Sequence, residues 1–168
     1  DIQYLAYHDT EWGVPEFDSR ALFEKLILDG FQAGLSWITI LRKRDNFRAA
    51  FDGFEPEIIA HYTEKDIQQC LNDAGIIRHR GKIEATIGNA QAFLNLRNAG
   101  QEFNDFCWRF VDGKPVINTF QTTQEIPTQN DVSRNLSKAL KQAGFKFCGP
   151  VIVYAFMQAV GMVTVSYT

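Results

Sequence analysis

The stretch Asp29-Gly30-Phe31-Gln32-Ala33-Gly34-Leu35-Ser36-Trp37 joins two strongly apolar helical patterns. Apolar residues recur at helical spacing at positions 22, 23, 26 and 27 before it, and at positions 38, 40 and 41 after it. Asp29 therefore lies beside core, where desolvation favours a neutral carboxyl group unless a donor is near. An acid and an indole at a core edge can hold a flat, hydrogen-bonding ligand. The alternative is a helix junction in which Asp29 faces solvent and Trp37 belongs to the core.

The chain is expected to form one domain over residues 1–168, because 45% of it is apolar and no linker or repeat interrupts it. No run approaches the length of a membrane span, and no stretch has the regions of a signal peptide. We therefore expect no membrane partner. The three cysteines, Cys70, Cys107 and Cys148, are far apart and odd in number. This usage favours free thiols in a reducing compartment.

Basic residues are concentrated in three short windows, although the net charge is −3. A basic face on a mildly acidic protein suits local contact with a polyanion. The alternative is three ordinary solvated helix faces. The windows hold Arg42, Lys43, Arg44 and Arg48; Arg78, Arg80 and Lys82 around His79; and Arg134, Lys138, Lys141 and Lys146.

Periodicity and capping residues predict an all-α chain of six to eight helices. One helix begins at Asp18 or Ser19 and runs to about residue 28, and the next follows Trp37 and runs to about residue 51. Residues 1–17 lack helical period, so we expect an irregular aromatic segment packed over the rest. A short extended piece is expected at 116–121 and a polar loop at 122–131. Two more helices are expected at about 132–143 and 150–160.

Residues 63–99 read as a helix, a short glycine-bounded hairpin and a second helix. Thr63 caps the first helix in a capping box with Asp66, and the second helix starts at Lys82. Between them lies Gly75-Ile76-Ile77-Arg78-His79-Arg80-Gly81. Backbone N–H groups of such a hairpin, with a helix N-terminus behind them, suit a phosphate. The alternative is a helical hairpin whose basic residues are only solvated.

Several common chemistries find no support in the sequence. No glycine-rich phosphate loop and no Gly-x-Ser-x-Gly elbow is present. His8, His61 and His79 are scattered and unpaired with cysteine, so no metal site is evident. The remaining catalytic candidates are carboxylates, namely Asp29, Asp9, Glu11 and Asp105. Asp29 is the best placed, because aromatic residues and glycines surround it.

Longer motifs carry a family resemblance. The sequence resembles the 3-methyladenine DNA glycosylase I family in three motifs. They are Tyr7-His8-Asp9-x-Glu11-Trp12-Gly13-Val14-Pro15, Gln32-Ala33-Gly34-Leu35-Ser36-Trp37, and the hairpin continued by Lys82-Ile83. The C-terminal part of that family is matched by Leu136-Ser137-Lys138, Gly144-Phe145-Lys146-Phe147 and Tyr154-Ala155-Phe156-Met157-Gln158-Ala159. The resemblance covers essentially the whole chain, in order.

The resemblance implies a helix-hairpin-helix DNA repair enzyme, typically bacterial and cytoplasmic. Such an enzyme extrudes an alkylated adenine from double-stranded DNA and hydrolyses its N-glycosidic bond. Adenine methylated at N3 is cationic and already a good leaving group. Aromatic faces favour a cationic base, and a carboxylate can accept from its amino group. A monomer acting on DNA without a cofactor is expected.

The resemblance also assigns roles by position. Asp29 falls at the base-recognising carboxylate, Tyr7 and Trp37 at the base-stacking aromatics, and Tyr4 and Trp12 at further pocket-lining aromatics. Gly34 and Leu35 fall near the segment that fills the gap left by the extruded nucleotide. The DNA-clamping hairpin corresponds to residues 75–81 and the following lysine, which gives Gly75, Arg78, His79, Arg80, Gly81 and Lys82 as DNA-binding candidates.

Two departures from the family pattern matter. The acid at position 29 is Asp where a Glu is expected, which shortens its reach by roughly 1.5 Å, enough to break a direct hydrogen bond. The family often has a zinc site with Cys and His ligands near the termini, and only His8 matches a ligand position. We therefore expect no zinc in this chain. The alternative is that residues outside the given sequence supply some ligands.

Two other functions stay open. A bifunctional glycosylase/lyase would use Lys82 as a Schiff-base nucleophile. We expect no such reaction, because nothing apolar surrounds Lys82 in the sequence to lower its pKa. A non-catalytic helix-hairpin-helix module would bind DNA in a salt-dependent way and release no base. Asp105 is the one acid near the position where related enzymes place a catalytic Asp, and its aromatic neighbours argue against that role.

Overall fold

The computed structural model describes residues 1–120 and 127–167. It is mostly helical, which confirms the all-α class, and within the described residues it has ten α-helices where six to eight were expected. They are α1 (Ile2–Thr10), α2 (Ser19–Gln32), α3 (Trp37–Arg42), α4 (Arg44–Ala50), α5 (Pro56–Ile59), α6 (Glu64–Leu71), α7 (Arg80–Asn98), α8 (Phe103–Trp108), α9 (Asp131–Gln142) and α10 (Pro150–Ala159). Single 3₁₀ turns lie at Asp52–Phe54 and Arg109–Val111.

Two of the extra helices come from segments that were interpreted differently. Residues 2–10 form α1, so the prediction of an irregular N-terminal segment was wrong there. The Asp1 carboxylate caps this helix by accepting from the backbone N–H groups of Gln3 and Tyr4 at 2.8 and 3.3 Å. The helix expected up to residue 51 is divided at Lys43, whose N–H bonds to the Ile40 carbonyl three residues back and ends α3.

A small parallel sheet is the other addition. Strand β1 (Val116–Phe120) pairs with β2 (Val163–Tyr167), with Val116 opposite Val163. The extended piece predicted at 116–121 is confirmed as far as residue 120. Residues 121–126, which include half of the predicted polar loop, lie outside the described residues. No helix within the described ranges is long and apolar enough to cross a membrane.

Helix α2 is the centre of the core. Its residues Leu22, Phe23, Leu26 and Phe31 are almost completely buried. It packs against α3, α7, α8 and α10. Helix α10 is apolar nearly all round, as its sequence predicts, and lies between α2 and α9. An Asp on α2 is therefore carried into the interior by the helix that organises the fold.

The N-terminal segment is fastened across the end of α10. Gly13 N–H donates to the Ala159 carbonyl at 2.9 Å, and Glu16 N–H donates to the Val160 carbonyl at 3.0 Å. The crossing leaves no room at Gly161, where an added Cβ would lie 2.6 Å from the backbone nitrogen of Pro15. This crossing holds α1 and its aromatic residues over one face of α2.

The helix-hairpin-helix element consists of α6, the hairpin and α7. The Thr63 N–H donates to Asp66 Oδ2 at 2.8 Å, which confirms the capping box. Helix α7 begins at Arg80, two residues earlier than expected, because His79 caps it. The ring Nδ1 of His79 accepts from the Lys82 N–H at 3.0 Å. Histidine is not among the preferred N-cap residues, so the sequence did not indicate this cap.

Candidate functional site

A cavity of about 380 Å³ opens between α1, α2, α3 and α10. Its volume suits a single purine-sized ligand. It brings together all five residues that the resemblance placed at a base pocket. The lining residues are Tyr4, Tyr7, His8, Trp12, Lys25, Asp29, Gln32, Trp37, Ala155, Gln158 and Ala159.

The carboxylate in this cavity is buried, and only one of its two oxygens has a hydrogen-bond partner among the described residues. Asp29 is 4% exposed, so the interpretation of a solvent-facing acid is wrong. Its Oδ1 accepts from the Lys25 ammonium at 2.8 Å, and its Oδ2 is buried with no partner among the described residues. Burial raises the pKa of Asp29, and the nearby Lys25 charge opposes that shift. A buried acceptor without a donor is costly, which makes Oδ2 a natural contact point for a ligand N–H group.

Aromatic rings form the walls of the cavity. The rings of Tyr7 and Trp37 have centroids 5.3 Å apart and planes tilted by 43°. Tyr4 and Trp12 are partly exposed, and the Trp12 ring stacks on His8 at 5.8 Å. The indole Nε1 of Trp37 is buried and finds no acceptor among the described residues. The cavity therefore offers flat aromatic faces together with an unused donor and an unused acceptor.

An ion pair fixes Tyr7 in its place. Arg44 on α4 donates to both carboxylate oxygens of Glu11 at 2.6 and 2.9 Å. The same guanidinium lies 5.7 Å from the centroid of the Tyr7 ring. Burial, followed by the negative charge of Asp29, raises the pKa of Tyr7, so its phenol stays protonated. A neutral Tyr7 ring keeps an uncharged face toward the cavity.

Sequence reasoning missed Lys25, which lies one helical turn before Asp29. Its ammonium is 3.4 Å from the centroid of the Trp37 ring and 5.7 Å from that of Tyr7. The side chain is 15% exposed. The four-residue spacing from Asp29 was the available signal, since residues at i and i+4 share a helix face.

The hairpin residues have divided roles. Arg78 is exposed and forms no ion pair within the described part of the chain. Arg80 pairs with Glu64 on α6 and Glu84 on α7, both at 2.6 Å. Arg78 is thus the hairpin side chain most available to a phosphate, whereas Arg80 links the two helices of the element.

Lys82 turns inward, contrary to the expectation that its surroundings would leave its pKa unshifted. It is 9% exposed, and burial lowers its pKa. Its ammonium donates to the carbonyl oxygens of Phe31 and Ala33, each at 3.0 Å. Two hydrogen bonds to carbonyls occupy the amine and hold the hairpin against the end of α2.

The exposed Gly34–Leu35 turn follows directly after Ala33, whose carbonyl accepts from Lys82. Gly34 has a φ of +83°, a left-handed conformation that favours glycine. Leu35 is 42% exposed, so the turn presents an apolar side chain at the surface. Apolar side chains of this kind are the ones that some DNA-binding proteins insert into a base stack.

Most of the first basic window is engaged in ion pairs. Arg42 pairs with Asp1 at 2.7 Å, Arg44 with Glu11, and Arg48 with the buried Glu24 at 2.8 Å. These contacts fasten α3 and α4 to α1 and α2. For these residues the interpretation as a free basic face is not supported.

Comparison with known proteins decides the family. The sequence pattern of the family described as Methyladenine glycosylase matches residues 1–167. The chain belongs to the methyladenine glycosylase family. It is 55% identical over 163 residues to DNA-3-methyladenine glycosylase 1 of Escherichia coli strain K12, covering 97% of this chain and 87% of that protein.

Solved structures extend the similarity to the whole fold of this methyladenine glycosylase. A crystal structure of 3-methyladenine DNA glycosylase I superposes with a TM-score of 0.95 at 55% identity, covering 98% of this chain and 90% of that one. The Staphylococcus aureus 3-methyladenine DNA glycosylase I, reported for the structural basis of 3-methyladenine recognition, superposes with a TM-score of 0.94 at 44% identity. That match covers 97% of this chain and 87% of the other. The relatives confirm the helix-hairpin-helix glycosylase fold.

The residue types that bind zinc lie apart from one another in the described part of this chain. No group of three or more His, Cys, Asp or Glu residues that could hold a metal occurs in residues 1–120 and 127–167. His8 is exposed and stacks on Trp12, while all three cysteines are buried and unbridged. Cys70, Cys107 and Cys148 are free thiols in this structure. Asp105 is exposed on α8 and does not line the cavity.

Proposed function

We propose that this chain is a monofunctional DNA glycosylase that hydrolyses the N-glycosidic bond of 3-methyladenine in alkylated double-stranded DNA, as the first step of base-excision repair. The observation that carries the proposal is the unpartnered Oδ2 of Asp29 in a cavity walled by Tyr7 and Trp37. The family membership and the 3-methyladenine recognition reported for the S. aureus relative support the same substrate.

The chemistry of the substrate matches the polarity of the cavity. Methylation at N3 makes the deoxyadenosine base cationic, so the glycosidic bond is already weakened. The enzyme mainly has to extrude, recognise and stabilise the base. Aromatic faces attract the cation, and the Asp29 carboxylate can accept from the exocyclic amino group while adding opposite charge.

Each proposed site residue has a defined task. Asp29 reads the amino group through Oδ2, the rings of Tyr7 and Trp37 stack on the base, and Tyr4 and Trp12 line the mouth. Because Asp is one methylene shorter than the Glu expected here, direct contact requires the base to sit closer to α2 or a water to bridge.

DNA contacts are proposed for the neighbouring surface. Leu35 on its Gly34 turn would fill the gap left by the extruded nucleotide. Arg78 and the backbone of residues 75–81 would hold a phosphate of the DNA. His79 and Gly81 would allow the hairpin backbone to approach that phosphate closely. Arg80 and Lys82 would act indirectly, through the contacts that fix the hairpin.

Release of free 3-methyladenine from methylated duplex DNA tests the proposal. Asp29→Asn should lower the rate about 10- to 100-fold, because it replaces a charged carboxylate acceptor by a neutral amide. Trp37→Ala should lower it roughly 5- to 100-fold through lost stacking. Asp105→Asn is the matched control and should leave the rate unchanged. No release by the intact protein on fresh substrate would refute the function.

Borohydride trapping distinguishes the proposed monofunctional glycosylase from a bifunctional glycosylase/lyase. An imine between Lys82 and an abasic site would be reduced to a stable covalent adduct. We expect none, because the Lys82 amine is held by two carbonyl oxygens on the hairpin side of α2 and does not line the cavity. DNA binding without any base release would instead favour the non-catalytic module.

We also propose a cytoplasmic monomer that needs no metal. Three buried free thiols suit a reducing compartment. Light scattering after gel filtration should give the mass of a single chain. Dialysis against EDTA should leave the rate of base release unchanged, and a loss restored by zinc would contradict the proposal.

A further inference from the structure

Lys25 places its amino group inside the pocket that the proposed function assigns to a cationic base. Burial lowers the pKa of Lys25, while the charge of Asp29 and its hydrogen bond to Lys25 favour the charged ammonium. Its ammonium donates to Asp29 Oδ1 at 2.8 Å and lies 3.4 Å from the centroid of the Trp37 ring. A carboxylate and an electron-rich aromatic face are also the groups that attract a methylated, cationic purine. The lysine and such a base therefore compete for the same two partners.

The position of the ammonium above the indole sharpens this competition. A separation of 3.4 Å is van der Waals contact, the height at which a stacked ring would lie over Trp37. A base cannot stack on that face of the indole until the ammonium has moved. The second carboxylate oxygen, Asp29 Oδ2, remains unpartnered among the described residues and can still accept from a ligand.

The structure offers a place for the displaced ammonium. Lys25, Tyr7 and Trp37 also line a second cavity of about 330 Å³, which Asp29 does not line. Both charge signs surround it, so it can solvate an ammonium group. Its charged side chains are Glu11, Glu16, Arg20, Glu24, Arg44 and Arg48.

We propose that Lys25 is a specificity-determining residue that weakens the preference of this pocket for cationic over neutral purines. With Lys25 in place, the carboxylate is already neutralised by an internal cation, so an incoming positive charge gains less than it would beside a free Asp29. Any purine must displace the ammonium to stack on this face of Trp37, but only a cationic purine is also repelled by its charge. This inference rests on the proposed function, because it assumes that the cavity holds the alkylated base.

Calorimetric binding of two purines to the intact protein tests the inference. The probes are 3-methyladenine, near neutral charge at about pH 8, and 3,9-dimethyladeninium, a permanent cation of the same ring. Lys25→Met removes the charge and keeps the length. It should raise the affinity for the cation at least about tenfold more than the affinity for the neutral purine.

Three further variants separate the effect of the Lys25 charge from the other effects of the substitution. Lys25→Arg keeps the positive charge and should leave the ratio of the two affinities near the wild-type value. Lys65→Met removes a charge from an exposed site on α6 and should not change the ratio. Lys25→Gln, which can still donate to Asp29, is a second neutral variant and should shift the ratio in the same direction as Lys25→Met.

The outcomes distinguish this inference from the proposed function. An equal change in both affinities for Lys25→Met, or a selective loss of the cation, would overturn the role of Lys25 and leave the glycosylase proposal standing. If neither purine bound the wild type or any variant, the base pocket itself would be refuted, and the role of Lys25 with it.

Discussion

The ammonium of Lys82 donates to the carbonyl oxygen of Phe31 at 3.0 Å, and so joins the start of α7 to the end of α2. A second bond of the same length to the Ala33 carbonyl continues the contact into the turn that carries Leu35. The hairpin, the turn and the helix that bears Asp29 are therefore one connected unit. A shift of the hairpin on DNA would be felt at the base pocket.

Replacing Lys82 by Met should destabilise the fold. The variant keeps the aliphatic stem but leaves two carbonyl groups at the end of α2 without their charged donor. We expect a loss of about 1–3 kcal/mol in the free energy of unfolding, measured by urea denaturation. Lys65→Met, at an exposed position, should change it by less than about 0.5 kcal/mol. Equal stability of the two variants would show that the Lys82 contacts contribute nothing.

Arg78 and Arg80 should differ in their effect on DNA binding. Arg78 is exposed and free of ion pairs within the described residues, whereas Arg80 is held between Glu64 and Glu84. Arg78→Ala should weaken binding to undamaged duplex DNA and reduce the slope of log K against log salt by about 1. Arg80→Ala should change the slope less, because its charge is already neutralised. A larger slope change for Arg80 would reverse this assignment of roles.

The part of the site that follows motif positions was predictable, and the part that depends on side-chain direction was not. Tyr7, Asp29 and Trp37 were placed together by their match to a family pattern. The spacing of Lys25 from Asp29 indicated a shared helix face, and Lys82 was assigned to the hairpin, but neither position tells whether the ammonium extends into solvent or turns inward. For the fold, periodicity predicted most of the helices, but α1 depends on an Asp1 cap and on packing rather than on an apolar stripe.

The three cysteines should be unreactive in the native protein. Burial raises the pKa of Cys70 and of Cys148 to about 11, and raises that of Cys107 as well. A raised pKa leaves almost no thiolate near neutral pH, and the thiolate is the reactive form. Ellman's reagent at about pH 8 should therefore find no fast-reacting thiol in native protein and three after denaturation in guanidinium. A thiol that reacts at once in the native state would contradict the burial of these residues.

Gly161→Ala should be the most damaging glycine substitution at the crossing of the N-terminal segment over α10. Its φ of +77° strains any residue with a Cβ, and that Cβ would lie 2.6 Å from the Pro15 nitrogen. Gly100→Ala is the matched control, because Gly100 has a φ of +87° and nothing within 4 Å of an added Cβ. The control should lose about 1 kcal/mol from backbone strain alone.

Gly161→Ala should lose roughly 1–3 kcal/mol more than this control, since the three clashing atoms, Pro15 N and Cα and Val14 C, belong to backbone that can only move as a segment. That movement would lift residues 13–16 from α10 and displace α1, which carries Tyr7. Base release should therefore fall together with stability for Gly161→Ala and stay at the wild-type rate for Gly100→Ala. Equal losses of stability in the two variants would mean that residues 13–16 shift away from Gly161 at little cost in free energy. Tyr7 would then be held by the Arg44–Glu11 pair rather than by the N-terminal crossing.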